Sequence, residues 1–145
     1  MNWKRVSLGG FVVAVLAMAG LIWRRALLAG DPFTVMLQAA AIGLMLWARV
    51  VFGRRSFHAS ASPTEGGLIT RGPYRLIRHP IYAAVLLFLV AGVGSHPSVV
   101  SMLLLVAVAG GMVVRIAAEE HLIVERYPEY VGYAARTKRL IPFVY

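Results

Sequence analysis

The chain has no cysteine and only 6 acidic residues among 145, against 15 lysines and arginines. Without cysteine there are no disulfides, no thiolate nucleophile and no Cys-based metal centre. Polar chemistry must come from His, Arg, Glu, Tyr or the backbone. Charge of either sign is scarce: charged residues make up 14% of the chain, where a soluble domain carries about 25%. With 59% hydrophobic residues, the sequence reads as an integral membrane protein rather than a soluble domain. The net charge of +9 does not interleave with exposed aromatics on a polar surface, so anionic lipid headgroups rather than nucleic acid are its expected electrostatic partner. The four histidines, His58, His79, His96 and His121, lack the close pairing of a closed coordination shell, and no metal site is expected.

Four apolar segments suggest an all-α membrane bundle. Val6–Trp23 is long enough to cross at about 1.5 Å per residue. Its basic leader, Lys4-Arg5, and the small-residue run Ala17-Met18-Ala19 match a secretory signal. The apolar stretch nevertheless continues through Leu21-Ile22-Trp23 and further spans follow, so it is read as the first span. Phe33–Val51 follows an Asp31 cap and Pro32 at the first helical position, and its lone Gln38 is expected to face another helix. Pro80–Gly94 is short for a crossing. It must extend back into the basic loop or lie where the bilayer thins. The fourth segment starts near Ser98, after His96-Pro97, and meets no proline before Pro128. A helix of about thirty residues would outrun the hydrocarbon, which leaves a span of about 98–118 and a protruding C-terminal part. No repeat or second domain is visible, so residues 1–145 form one membrane domain.

The cations sort by side. Arg49, Arg54, Arg55, Arg71, Arg75 and Arg78 lie between spans two and three, and Arg115, Arg126, Arg136, Lys138 and Arg139 lie at or beyond the end of span four. Only Arg24 and Arg25 oppose them, so the positive-inside rule puts both termini and the long loop in the cytoplasm. Four of the six acids fall between Glu119 and Glu129.

Three pieces on that side carry the functional signal. Gly72-Pro73-Tyr74-Arg75 leads into Arg78-His79-Pro80 and Tyr82 at the start of span three, where cationic and titratable groups meet both water and lipid. Arg115 precedes Glu119-Glu120 on the last long helix. Two adjacent carboxylates late in a helix oppose its dipole and call for cationic partners elsewhere. In the tail, Tyr127, Tyr130, Tyr133 and Thr137 recur at three- and four-residue steps, which collects them on one helical face, ahead of Leu140-Ile141-Pro142. Each piece also has a plain structural reading, as an orienting basic loop, a solvated helix face and an interfacial aromatic belt.

Taken in order, these pieces over about residues 66–142 resemble the isoprenylcysteine carboxyl methyltransferase and phospholipid methyltransferase group of membrane enzymes, with the likeness better among short prokaryotic members. The resemblance implies S-adenosylmethionine as cofactor and a lipophilic acceptor entering from the bilayer, with a cytoplasmic active site in a cell membrane. On that footing, Arg78 or His79 would take the donor's carboxylate, and Glu119 or Glu120 its ammonium, through charge-assisted hydrogen bonds. Tyr82 would supply a hydroxyl, and Tyr127, Tyr130 and Leu140-Ile141 an apolar bed for adenine, with Tyr74 and Pro80 in the same pocket. Arg75 or Arg115 would orient a carboxylate acceptor, whereas an amine acceptor would need a base such as His79, Glu119 or Glu120. Two rival readings stay open at this point. One is a membrane sterol-type reductase using NADPH, which resembles the same helical core. The other is a non-enzymatic lipid-binding subunit. Oligomeric state is not legible.

Overall fold

A computed structural model describes residues 2–53, 67–142 and 144–145. Among these are five α-helices and no strands: α1 (Trp3–Trp23), α2 (Pro32–Phe52), α3 (Pro80–Ser95), α4 (Val99–Arg126) and α5 (Tyr130–Arg136), with a short 3-10 turn at Gly72–Arg75. Local chemistry explains the boundaries. Asp31 accepts the Thr34 amide at 3.0 Å ahead of Pro32, and Ser98 accepts the Ser101 amide at 3.1 Å, so each helix start has a side-chain acceptor for an otherwise orphaned N–H. Helix α3 begins at Pro80 and does not run back into the basic loop. Its 16 residues cover about 24 Å, short of a hydrocarbon core of about 30 Å.

α1, α2 and α4 are each long and apolar enough to cross a membrane, and α3 is a shorter apolar helix. Their burial pattern is inverted relative to a soluble bundle. Small residues such as Ala14, Ala17, Ala41 and Ala48 are buried, while Leu16, Val50 and Val106 are 67%, 80% and 67% exposed. In lipid, apolar side chains have no reason to turn inward, so helices associate through small residues that let backbones approach. The chain is an integral membrane protein.

The helices pack as two pairs. α1 lies antiparallel on α4, as the contacts Trp3 to His121 at one end and Arg24 to Ser101 at the other show. Between them Gly10 and Gly111 meet backbone to backbone: a Cβ built on Gly111 would lie 2.5 Å from the Gly10 carbonyl oxygen. α2 packs on α3, and the loop after α1 is laid over this pair. Gly92 faces the Ala26 and Leu27 carbonyls with no room for a side chain. Gln38 faces α3, as its isolation in an apolar helix suggested. Its carboxamide accepts from the Ala29 amide at 3.0 Å and donates to the carbonyls of Leu27 at 2.7 Å and Phe88 at 3.1 Å, so one buried side chain satisfies three backbone groups that water cannot reach. The two pairs touch through lighter contacts between α3 and α4.

Gly111→Val should therefore lower the thermal midpoint in detergent by the equivalent of about 1–3 kcal/mol. Gly110→Val, where an added Cβ meets nothing within 4 Å, should leave the midpoint nearly unchanged.

Candidate active site

The site is assembled where the segment before α3, the end of α4 and the tail converge. The 3-10 turn is placed by Gly72, whose φ of +60° is a left-handed value open to glycine and whose Cα faces Val51 and Trp47 too closely for a side chain. This sets the buried Tyr74 ring against Phe52, with centroids 5.4 Å apart, and ties the turn to α2. The next residues pair with the tail. Lys138 N–H donates to the Leu76 carbonyl at 3.2 Å, Arg78 N–H to the Lys138 carbonyl at 2.7 Å, and His79 N–H to the Arg139 carbonyl at 3.0 Å. Tyr133 adds a hydroxyl bond to the Tyr74 carbonyl at 2.6 Å.

The two acids of α4 then take separate roles. Glu120 is the hub: its carboxylate meets Arg78 Nε at 2.7 Å, Arg139 Nε at 2.9 Å, His79 Nε2 at 3.2 Å and the Tyr130 hydroxyl at 3.3 Å. Arg78 also donates to the carbonyls of Ala134, at 2.9 Å, and Thr137. Glu119 belongs to a second knot. Tyr82 donates to it at 2.6 Å, Arg115 Nε lies 2.9 Å from the same oxygen and 2.5 Å from the Tyr82 hydroxyl, and His79 Nδ1 stands 4.0 Å from the other oxygen. His79, 8% exposed, thus sits between the acids. Burial raises the pKa of the Tyr74, Tyr130 and Tyr133 hydroxyls, Tyr133 to about 12, with Glu120's charge adding to the effect at Tyr130. All three stay neutral at physiological pH.

These knots border a cavity of about 420 Å3. Its polar end is lined by Tyr74, Arg78, His79, Tyr82, Arg115 and Glu119, roofed by Tyr127, Tyr130 and Tyr133, with Pro80 at the α3 start. Its apolar end lies among Val15 and Met18 of α1, Val85 of α3 and Met112 of α4. Nine of the residues given a site role from the sequence therefore face one space, and Tyr133 of the tyrosine run joins them. Four with such a role do not line it. Arg75 is exposed at the end of the 3-10 turn, Glu120 is turned into its cluster behind Arg78 and His79, Leu140 is buried in the tail, and Ile141 is 54% exposed. The tyrosine run also divides: Tyr130 and Tyr133 lie in α5, while Tyr127 caps α4 and Thr137 caps α5.

Sequence reasoning missed the far wall, where Arg49 and Phe52 of α2 and Phe11 of α1 line the same cavity. For Arg49 a signal existed, a guanidinium in the last turn of an apolar span. Phe11 carried none, although the Arg115 guanidinium lies 5.1 Å over its ring. Arg54, Arg55 and His58 fall outside the described residues. Among the described residues, no group of three or more His, Cys, Asp or Glu is placed to hold a metal ion.

Fold and site together define an integral membrane helical protein with an amphiphilic chamber, charged at one end and apolar at the other. Its sequence carries the identification further: a profile of the isoprenylcysteine carboxyl methyltransferase family matches residues 10–125, and the chain belongs to that family of membrane methyltransferases. Two relatives are similar over 105 residues, 71% of this chain: the nickel-cobalt-cadmium resistance protein NccN of Alcaligenes xylosoxydans xylosoxydans at 31% identity, covering 45% of that protein, and the cobalt-zinc-cadmium resistance protein CzcN of Cupriavidus metallidurans at 29%, covering 44%. The chain thus spans less than half the length of these curated relatives. No solved structure is significantly similar.

Glu120→Ala should destabilise the protein by about 3–5 kcal/mol, because it leaves the mostly buried Arg78 guanidinium without its counter-charge. Arg139→Ala, whose side chain is 39% exposed, should cost about 1 kcal/mol or less. Chemical or thermal unfolding of the two variants in one detergent checks the order.

Proposed function

We propose that the chain is an S-adenosylmethionine-dependent methyltransferase whose acceptor is a lipophilic molecule with an ionised carboxylate. The observation that carries this reading is the two-ended cavity, whose charged end joins the Arg78-His79 corner to the Arg115-Glu119 helix and whose other end is apolar. Family membership supports methyl transfer. The donor set fits the cofactor: Arg78 and His79 can meet a carboxylate, Glu119 can accept an ammonium, and the roofing tyrosines offer faces for an adenine ring. Glu120, engaged by the protein's own donors, acts here as a positioning residue that holds Arg78, His79 and Tyr130 in place.

The choice of a carboxylate follows from charge. Three guanidinium groups, those of Arg49, Arg78 and Arg115, line the cavity with the carboxylate of Glu119, and Glu120 behind Arg78 compensates that cation, which leaves one more guanidinium than carboxylate around the space. A cationic acceptor would add to that excess, whereas an anionic one relieves it. An ionised carboxylate also needs no base. When bound, the cofactor supplies a methyl carbon made electrophilic by its sulfonium. The chain's own contribution is placement and dryness. Tyr82, Arg115 and Glu119 lock one another, so the guanidinium meant for the acceptor does not have to be ordered during reaction. In-line geometry of this kind is worth about 7–11 kcal/mol, and an apolar chamber keeps out the water that would solvate an anionic nucleophile.

The lysine and arginine distribution supports a site and termini on the cytoplasmic face, and the bacterial relatives support a bacterial cell membrane. A part in metal tolerance, which the names of NccN and CzcN suggest, would then be carried by modification of a membrane-soluble compound.

Titrating the purified protein with S-adenosylmethionine and, separately, with NADPH tests the reading. A saturable rise in thermal midpoint is expected with the first alone. No response to S-adenosylmethionine, or a saturable response to NADPH, would overturn it in favour of the lipid-binding or reductase reading. Incubation with labelled methyl donor and a total lipid extract should yield a labelled, base-labile ester. Tyr82→Phe removes the hydroxyl that bridges the Glu119 carboxylate and the Arg115 guanidinium; a net loss of about 1.5–3 kcal/mol in their placement should slow labelling roughly 10- to 100-fold with the fold intact.

A further inference from the structure

The apolar half of the cavity has a floor. On α1 the side chains facing the cavity fall at Phe11, level with Arg115, and then at Ala14, Val15 and Met18, and the next residue on that stripe, Leu21, is fully buried. On α3, Tyr82 and Val85 face it, while Leu89 is 1% exposed. On α4, Arg115, Met112 and Gly111 face it, while Val108 is 0% exposed. Leu21, Leu89, Val108 and Met112 belong to one packed cluster, against which Met18 and Val85 rest.

The register of this floor agrees on α3 and α4, where Tyr82 to Leu89 and Arg115 to Val108 are each seven residues apart. On α1, Met18, the last residue to line the space, stands seven residues from Phe11, and the buried Leu21 lies one turn further. At 1.5 Å per residue the chamber therefore runs roughly 10 Å from the Tyr82-Arg115 knot to packed side chains. Close-packed interiors leave few voids larger than water beyond such a layer. The volume points the same way. A cavity of about 420 Å3 lies low in the range of about 300–1,000 Å3 seen for ligand pockets, and here it must admit both a nucleoside donor and the reacting end of an acceptor.

We infer that the acceptor is a compact amphiphile, with a carboxylate held at Arg115 and an apolar body ending within about two helical turns, its length limited by Met18, Leu89 and Val108. This rests on the methyltransferase reading above and narrows it from lipids in general to short- and medium-chain acids. Met18 is the adjustable part of the limit, since its unbranched side chain fills irregular space and is only half-buried. The opposite outcome is also written in the structure. Val15 lines the cavity while 47% exposed, and α1 and α2 both border the space without forming a close pair, so a long chain bound here would have to leave sideways past Val15.

Competition against radiolabelled octanoate, with the full chain in phospholipid nanodiscs, tests this directly. Octanoate should bind saturably, with hexadecanoate at least tenfold weaker, and Met18→Ala should move the preferred length upward. Affinity that climbs without a break to hexadecanoate overturns the inference in favour of a sideways exit. So does a length profile that Met18→Ala leaves unmoved, or the absence of saturable binding by any member of the series. S-adenosylmethionine titrated into the same preparation separates the two levels. Donor binding with an unlimited chain profile sinks only the length limit, whereas a length cutoff without donor binding sinks the methyltransferase reading.

Discussion

The carboxylate of Glu120 is the point on which the site depends. Taking a carboxylate out of water costs several kcal/mol unless charges and hydrogen bonds replace the lost solvation, and here Arg78, His79, Arg139 and Tyr130 all do so. They come from three parts of the chain: Arg78 and His79 from the segment before α3, Tyr130 from α5 and Arg139 from the tail. One acid on α4 therefore draws three otherwise separate pieces together. The backbone bonds between residues 76–79 and 138–139 follow the same closure. A charge that looks costly on its own helix is the reason the polar layer has a defined shape.

Beneath that layer, packing serves a different end. The α1–α4 and α2–α3 pairs are drawn tight by glycine, alanine and the single carboxamide of Gln38, while bulky residues are left to face lipid. Because each pair is strong within itself and the link between pairs is lighter, space remains between them at the level of Arg115 and below. The cavity is thus a consequence of how the membrane helices associate, and its polar end is a consequence of where Glu119 and Glu120 find their partners.

Much of this was legible in the sequence. Hydropathy located the four apolar segments, Asp31-Pro32 and Ser98 marked two helix starts, and the adjacent acids announced that cations must come from elsewhere. The Arg78-His79-Pro80 corner and the tyrosine run could be recognised as parts of one site through their order along the chain. Less could be said of how the acids divide. Glu119 and Glu120 are chemically identical neighbours, and a rotation of about 100° along the helix turns the first toward the cavity and the second into the cluster. Arg75 and Arg115 were likewise equal candidates for an acceptor's carboxylate until the 3-10 turn left the first exposed and α4 turned the second toward the cavity. Phe52 and Phe11 were invisible as site residues because lining a cavity is a relation between helices, and no local pattern records it.

By itself, then, the amino-acid order determined that this is an all-helical membrane protein with one charged layer and which residue types that layer holds, since partition into lipid and helix capping act over single segments. Only the tertiary structure decided which acid faces the chamber, which arginines reach it, and how deep it runs. Those outcomes depend on the rotation and register of packed helices, set by distant contacts such as Gly10 on Gly111 and Arg78 on Glu120.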